Sequence, residues 1–312
     1  MTVHTIPMER VITQTLLGIR FWDPVITQPI GRGLQVTAQL LNADRTQRVG
    51  RRITGTSTTN GVYAFFGLRT AERPATDQTL WESVPPARFA VIDVSDPAAR
   101  YLPLSFLVRT PFRGPFRGEG DWLPHPLLLP ETAAGAAPGV YLWSAAGRPT
   151  PPGMTMIQGQ LVTGIAPSPP AAPFAIVRVH NTEGDILAVG MTDAAGKLTL
   201  PMPYPAIPDP PNSDAYPSLD RQRFDLTITV HYEPDAQTMF PQSTTPDLSA
   251  LLQQAPAQIA ILHNPGADPG VDPYTFATEL SIQLPYGLPF VLRTPIQDTA
   301  RGQPFLRIRP AP

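Results

Sequence analysis

Five histidines, His4, His125, His180, His231 and His263, are the side chains of this 312-residue chain best suited to hold a metal or move a proton. They are scattered: no two stand at i and i+4, and no His-Glu-x-x-His occurs, so a helix-borne zinc site lacks its donors. His231 lies between Val230 and Tyr232 in an alternating run, which places it on the solvent face of a strand. A hydrolase nucleophile has no starting point without a Gly-x-Ser-x-Gly elbow. Neither Gly-x-x-x-x-Gly-Lys nor Gly-x-Gly-x-x-Gly is present to cradle a phosphate. Oxygen ligands gather in Asn264-Pro-Gly-Ala-Asp268-Pro-Gly-Val-Asp272, but without the 1, 3, 5 spacing and closing Glu of a calcium loop. The segment reads as an Asx/Pro turn. Phe112-Arg113-Gly-Pro-Phe116-Arg117-Gly118 interleaves aromatic and guanidinium groups, as single-strand nucleic-acid binders do. With two arginines in a chain of net charge −2, it reads instead as an arm that docks on protein. Phe112, Arg113, Phe116 and Arg117, with Trp122 and Trp143, are therefore the candidate interaction residues. No catalytic, cofactor-binding or metal-binding residue is assigned.

Whatever these residues do, β-structure must position them. Proline numbers 41 residues, far above the roughly 5% of average usage. It removes backbone donors and breaks helix interiors, so the chain should be poor in helix and rich in loops and edge strands. Charged residues, at 15%, fall well below the ~25% norm, while the apolar fraction of 42% is enough for a packed core. The absence of cysteine excludes a disulfide framework and thiolate chemistry. Met1 to Arg10 lacks the basic and apolar regions of a secretory signal, and no apolar run approaches the ~18 residues of a membrane span. A cytoplasmic protein, released if at all as part of a particle, is the expectation. Residues 1–122 carry a net +4 and residues 123–312 a net −6. The split allows complementary docking of subunits.

The length fits two domains. Alternating runs mark strands at 14–22, 33–41, 88–94 and 101–110, and again at 156–163, 174–180, 224–230, 258–262, 275–284 and 290–294. One short helix is expected over 247–254, capped by Thr245 or Asp247. The boundaries read as an N-terminal β-sandwich over 1–122, a proline-, alanine- and glycine-rich connector over 123–153, a C-terminal β-sandwich over 154–297 and an extended tail over 298–312. Within the connector, Val140-Tyr-Leu-Trp143 is apolar enough to dock on a neighbouring surface.

Two phrases echo between the halves. Gly55-Thr-Ser-Thr-Thr-Asn60-Gly61-Val-Tyr-Ala-Phe-Phe66 and Gly190-Met-Thr-Asp193-Ala-Ala-Gly196-Lys-Leu-Thr-Leu200 each place Asn or Asp with Gly between strand-like runs, the residues that turns with φ > 0 favour. Phe106-Leu-Val-Arg109-Thr-Pro111 and Phe290-Val-Leu-Arg293-Thr-Pro295 form a second echo, and both suggest one sandwich used twice. Strands with a central glycine (Leu17-Gly18-Ile19; Gln158-Gly159-Gln160) precede these turns. The order resembles the transthyretin-like or carboxypeptidase regulatory-like β-sandwich, most closely through Gly159, Thr192, Asp193 and Gly196. The first half departs with Thr59-Asn60-Gly61, read as a tighter turn. The resemblance implies an all-β protein of two transthyretin/Ig-like β-sandwich domains, very little helix, and an accessory or structural role without an active site.

The reading is thus a non-enzymatic structural or assembly component of a large complex, with other protein subunits or further copies of itself as partners. No cofactor, nucleic acid or membrane is expected. In overall style the chain resembles accessory parts of phage-tail-like contractile injection particles. A carbohydrate- or ligand-binding module, using Trp22, Trp81, Trp122 or Trp143 as stacking platforms, is the alternative.

Overall fold

Leu17, Ile19 and Phe21 are buried while Gly18 and Arg20 between them are partly open, the two-residue period of a strand with one face on a core. A computed structural model describes residues 17–68, 88–110, 139–164, 166, 168–205, 222–263, 273–296 and 303–310. Across them the chain is all-β, with one α-helix of a turn and a half.

The first unit comprises β1 (Gly18–Asp23), β2 (Gln28–Pro29), β3 (Gln35–Leu41), β4 (Arg48–Thr54), β5 (Thr56–Ser57), β6 (Val62–Ala64), β7 (Arg88–Ser95), β8 (Leu104–Thr110) and β9 (Val140–Tyr141). One sheet is an antiparallel meander in the order β4-β3-β7-β8; the other joins β5, β6 and β1, with β2 and a parallel β9 also on β1. Val36, Ala38, Ile92, Phe106 and Val108 of the first sheet meet Ile19, Phe21 and Tyr63 of the second. Phe21 stands edge-on to Tyr63 and Phe106, with ring centroids 5.5 and 6.4 Å away.

The second unit comprises β10 (Met154–Thr163), β11 (Ile176–His180), β12 (Ile186–Met191), β13 (Lys197–Pro203), β14 (Arg223–His231), α1 (Leu248–Leu252), β15 (Gln258–Leu262), β16 (Tyr274–Ala277), β17 (Glu279–Pro285), β18 (Phe290–Val291) and β19 (Leu306–Arg309). Its meander, β12-β11-β14-β17, repeats β4-β3-β7-β8 strand for strand. Its other sheet runs β13-β10-β19-β15-β16, with β18 also on β10. Parallel β9 lies beside Phe21 and Trp22, and parallel β19 beside Leu161 and Val162, as the closing strand of each unit.

The turns confirm this correspondence at atomic level. Thr58 N–H bonds Val62 O and Gly61 N–H bonds Thr58 O; Asp193 N–H bonds Lys197 O and Gly196 N–H bonds Asp193 O. The Thr58 hydroxyl accepts from Val62 N–H at 3.2 Å, as the Asp193 carboxylate accepts from Lys197 N–H at 2.8 Å. Gly61 and Gly196 close the turns at φ of +71° and +73°. The first turn is therefore the same size as the second, not tighter, with Thr58 in the place of Asp193. The second turn leads the chain from one sheet of the sandwich to the other, since β12 and β13 belong to different sheets; the first joins β5 to β6 within one sheet, the chain having already crossed between β4 and β5.

A methyl group at Gly196 lies 2.5 Å from Leu161 O, whereas at Gly61 its nearest neighbour is Gly31 Cα at 3.4 Å. Gly61→Ala should cost about 1–2 kcal/mol for the left-handed backbone alone. Gly196→Ala should cost clearly more, because β10 must also shift. Urea midpoints at unchanged m-value check the order.

Three sequence expectations need correction. Gly159 lies opposite Leu198, the place that Ile19 holds opposite Tyr63, so the two central glycines are one residue out of step. Gly159 sits on the inner face because Leu292 fills the space above it. The Phe106 and Phe290 echoes fall on β8 and β18, which are not corresponding strands. Residues 139–148 and 306–309 are not connector and tail: they supply β9 and β19, whose backbones complete the sheets.

The units differ most between the last two meander strands. In the first, residues 96–103 link β7 to β8, tightened by Asp96, which accepts from Arg100 N–H at 2.9 Å. In the second, residues 232–278 intervene between β14 and β17 and carry α1, β15 and β16.

Candidate functional site

The long insertion of the second unit reaches the first. Met239 to Asp247 lies along the outer side of β8, where Ser105 and Asp247 form a parallel bridge. Behind it, Leu248, Leu251 and Leu252 of α1 are buried with Ile176 and Met191 in the same cluster as the first unit's core. Asp247 caps α1: Ser249 donates its N–H to one carboxylate oxygen at 3.2 Å and its hydroxyl to the other at 2.5 Å. Burial raises the Asp247 carboxyl above its ordinary range, against the Ser249 bonds that lower it. A raised folded-state value means the folded chain binds the proton more tightly, so stability falls as pH rises through that interval. Asp247→Asn keeps the cap. It should match or exceed the parent in urea midpoint at pH 7 and lose that advantage in acid.

Asp93 is the polar centre of the seam. It projects from the outer face of β7 opposite Ser105. Arg48 of β4 grips it with both nitrogens, at 2.5 and 3.0 Å, and Ser105 and Ser243 donate hydroxyls to Oδ1 at 2.8 and 3.0 Å. Arg48 also bonds Pro241 O at 2.6 Å and Ser243 Oγ, so one guanidinium holds both units. The Ser105 and Thr245 hydroxyls meet at 2.8 Å. Burial would raise the Asp93 carboxyl, but the bonds from Arg48, Ser105 and Ser243 outweigh it and hold it below the usual carboxylate range.

Between this network and the insertion lies a cleft of about 230 Å³, walled by Gln35, Thr37, Arg52, Ser95 and Gln242 to Thr245. Arg52 reaches to 3.8 Å of Asp93. The carboxylate at its base is committed to structural bonds, which leaves it poorly placed to take a proton from a substrate. The arrangement is that of a joint.

A second buried ion pair locks β9 to β1. Arg148 donates to both oxygens of Asp23 at 2.8 and 2.7 Å, and to Ser144 at 2.9 Å. Tyr101 donates its hydroxyl to Asp23 at 2.6 Å, and the N–H groups of Val25 and Ile26 donate to it at 2.9 and 3.4 Å. At the other end of the chain, Arg307 ties β19 to the end of β10 through Gly164 O and Ala166 O, at 2.8 and 3.1 Å.

Of the candidate interaction residues, Phe112, Arg113, Phe116, Arg117 and Trp122 lie outside the described residues, as does the Asn264–Asp272 loop. Trp143 is 4% exposed within the first core, its carbonyl bonded to Leu102 N–H, so it packs its own unit rather than a neighbour. Trp22 is covered by Gly139, where an added methyl would meet its ring at 2.5 Å. Trp143 therefore offers no stacking platform, whereas Trp22 is half-buried. His231 is on the outer face of β14 but half-buried, its Nδ1 3.1 Å from Gln254 O, while His180 lies 3.2 Å from both Gly184 O and the Thr229 hydroxyl. The seam was missed from sequence because Arg48, Asp93 and Ser243 are far apart and no motif links them.

No protein-family model and no curated protein sequence matches the chain. Among solved structures, the chain is similar to the shaft pilin SpaA of Lactobacillus rhamnosus GG, at 10% identity over 96% of this chain and 99% of that one, with a TM-score of 0.22. It is also similar to the minor pilin of Streptococcus agalactiae, at 6% identity over 95% and 97%, with a TM-score of 0.23. Superposition this loose carries no inference about fold or role.

Proposed function

We propose that the chain is a non-enzymatic structural component that presents two welded β-sandwiches to other subunits of a larger assembly. The observation that carries this reading is the seam. Its carboxylate, guanidinium and hydroxyls are spent on holding the units together, and its apolar side is continuous with the first core. A two-unit body built this way transmits position from one end to the other, as a spacer or adaptor must. The finer reading is a transthyretin-like module serving a phage-tail-like contractile injection particle, made in the cytoplasm and released with it. The shared turn at Thr58–Gly61 and Asp193–Gly196 supports the module part.

Light scattering on the purified chain, with sedimentation of native lysate alongside, tests the proposal. Travel with a megadalton particle is expected, and the neighbours then name the role. A free monomer in both experiments overturns it.

A further inference from the structure

The outer edges of the sheets are treated unequally. On β4, Arg51 and Arg52 and a break in register opposite Ala38 to Leu40 discourage strand addition. On β13, Lys197, Pro201 and Pro203 do the same. The edge of β8 is covered in part by the second unit, through the Ser105–Asp247 bridge. Its counterpart β17 has no such cover: among the described residues it pairs with β14 alone.

This edge is also unguarded. Glu-Leu-Ser-Ile-Gln-Leu-Pro runs in unbroken register against β14, without a bulge, lysine or internal proline. Tyr286 N–H bonds Gln222 O, which continues the register and turns the backbone groups of Leu280, Ile282 and Leu284 toward β14. Those of Glu279, Ser281 and Gln283 therefore point outward. Among the described residues none bonds these outward groups, and seven residues of regular, half-apolar strand so placed form a template for another strand.

We infer that β17 pairs antiparallel with β17 of a second copy, joining the two meanders into one continuous sheet. The sequence is self-complementary in that arrangement. About a two-fold axis at Ile282, Ser281 stands opposite the partner's Gln283 and Leu280 opposite the partner's Leu284. The one charge, Glu279, meets the partner's Pro285, whose carbonyl accepts from Glu279 N–H; having no N–H of its own, Pro285 returns no bond, so each end of the ladder closes on a single hydrogen bond. No like charges oppose one another. This pairing deepens the assembly reading and rests on it.

The chain's lack of cysteine makes the test direct. The purified protein should have twice its 33.8 kDa mass by light scattering at tens of micromolar. Ser281→Pro, which removes an outward N–H and leaves the β14 ladder whole, should raise the dissociation constant at least tenfold with an unchanged circular dichroism spectrum. Ser281→Cys and Gln283→Cys chains, mixed and oxidised, should give a disulfide-linked dimer that neither gives alone, since paired Cα atoms lie about 5.5 Å apart. That crosslink decides the matter even if the proline variant misfolds. A parent that stays monomeric at 100 µM, or mixing that adds no crosslink, overturns the pairing. If such a monomer still sediments with a particle in lysate, only this edge is refuted and the assembly reading stands.

Discussion

Asp23→Ala is expected to destabilise the first unit by about 3–5 kcal/mol, the cost of leaving a buried charge uncompensated. The Arg148 side chain is 5% exposed and cannot turn to water without dismantling residues 139–148. The Tyr101 hydroxyl loses its acceptor at the same time. Two readouts separate this from general damage. The amides of Leu142 and Ala145, bonded to Trp22 O and Arg100 O, should lose hydrogen-exchange protection before those of β7, because β9 is what the ion pair holds. Replacing both partners, as in Asp23→Leu with Arg148→Met, should cost less than removing Asp23 alone. Burial, then the bond to Asp23, pushes the Tyr101 hydroxyl well above its ordinary range. The unfolded chain therefore ionises first, and stability falls as pH rises beyond about 10. If Asp23→Ala unfolds at the parent's urea midpoint, the pair contributes nothing and this account of β9 is wrong.

Asp93→Ala should separate the two units. It removes the acceptor shared by Arg48, Ser105 and Ser243 and strands an arginine whose side chain is 1% exposed, again a loss of roughly 3–5 kcal/mol. Calorimetry should then show two transitions where the parent shows one. Ser243→Ala keeps the Arg48 pair and should cost only about 1 kcal/mol. Acid should mimic the larger change. A carboxyl held low in the folded state contributes stability that is complete above its unfolded value of about 3.9 and disappears as pH falls through the folded one. The seam should open below about pH 4 while each sandwich persists. A single transition in Asp93→Ala would show that the apolar contacts of α1 suffice without the polar network.

Strands with a two-residue period were legible in the sequence because one face of each is buried: β3, β7, β10 and β14 lie within a residue or two of their expected bounds. The helix was legible through Asp247 and three leucines, and it begins where that cap places it. What escaped was decided by partners distant in sequence. Strands β9 and β18 are two residues each, and β19 has four, too short for any period. They exist because β10 and β1 offer parallel edges to them. Trp143 looked available because tryptophan in a proline-rich stretch resembles an anchor, yet the stretch folds back onto its own unit. The duplication was sensed through the turns, whose Asp/Thr and Gly positions are fixed by local hydrogen bonds, and misread through β8 and β18, where a similar string occupies different places.

The seam has a consequence for the order of events during synthesis. Arg48 must find Ser243, 195 positions further along the chain. At the usual pace of about 5–20 residues per second, β8, finished at Thr110, waits roughly 7–27 s for the strap that covers it. For that interval the β8 edge, later sealed by Asp247, stands open on a crowded ribosome, where neighbouring nascent chains carry the same strands. Slower translation lengthens the exposure and faster translation shortens it, so the yield of native protein should follow the speed at which codons 111 to 243 are read.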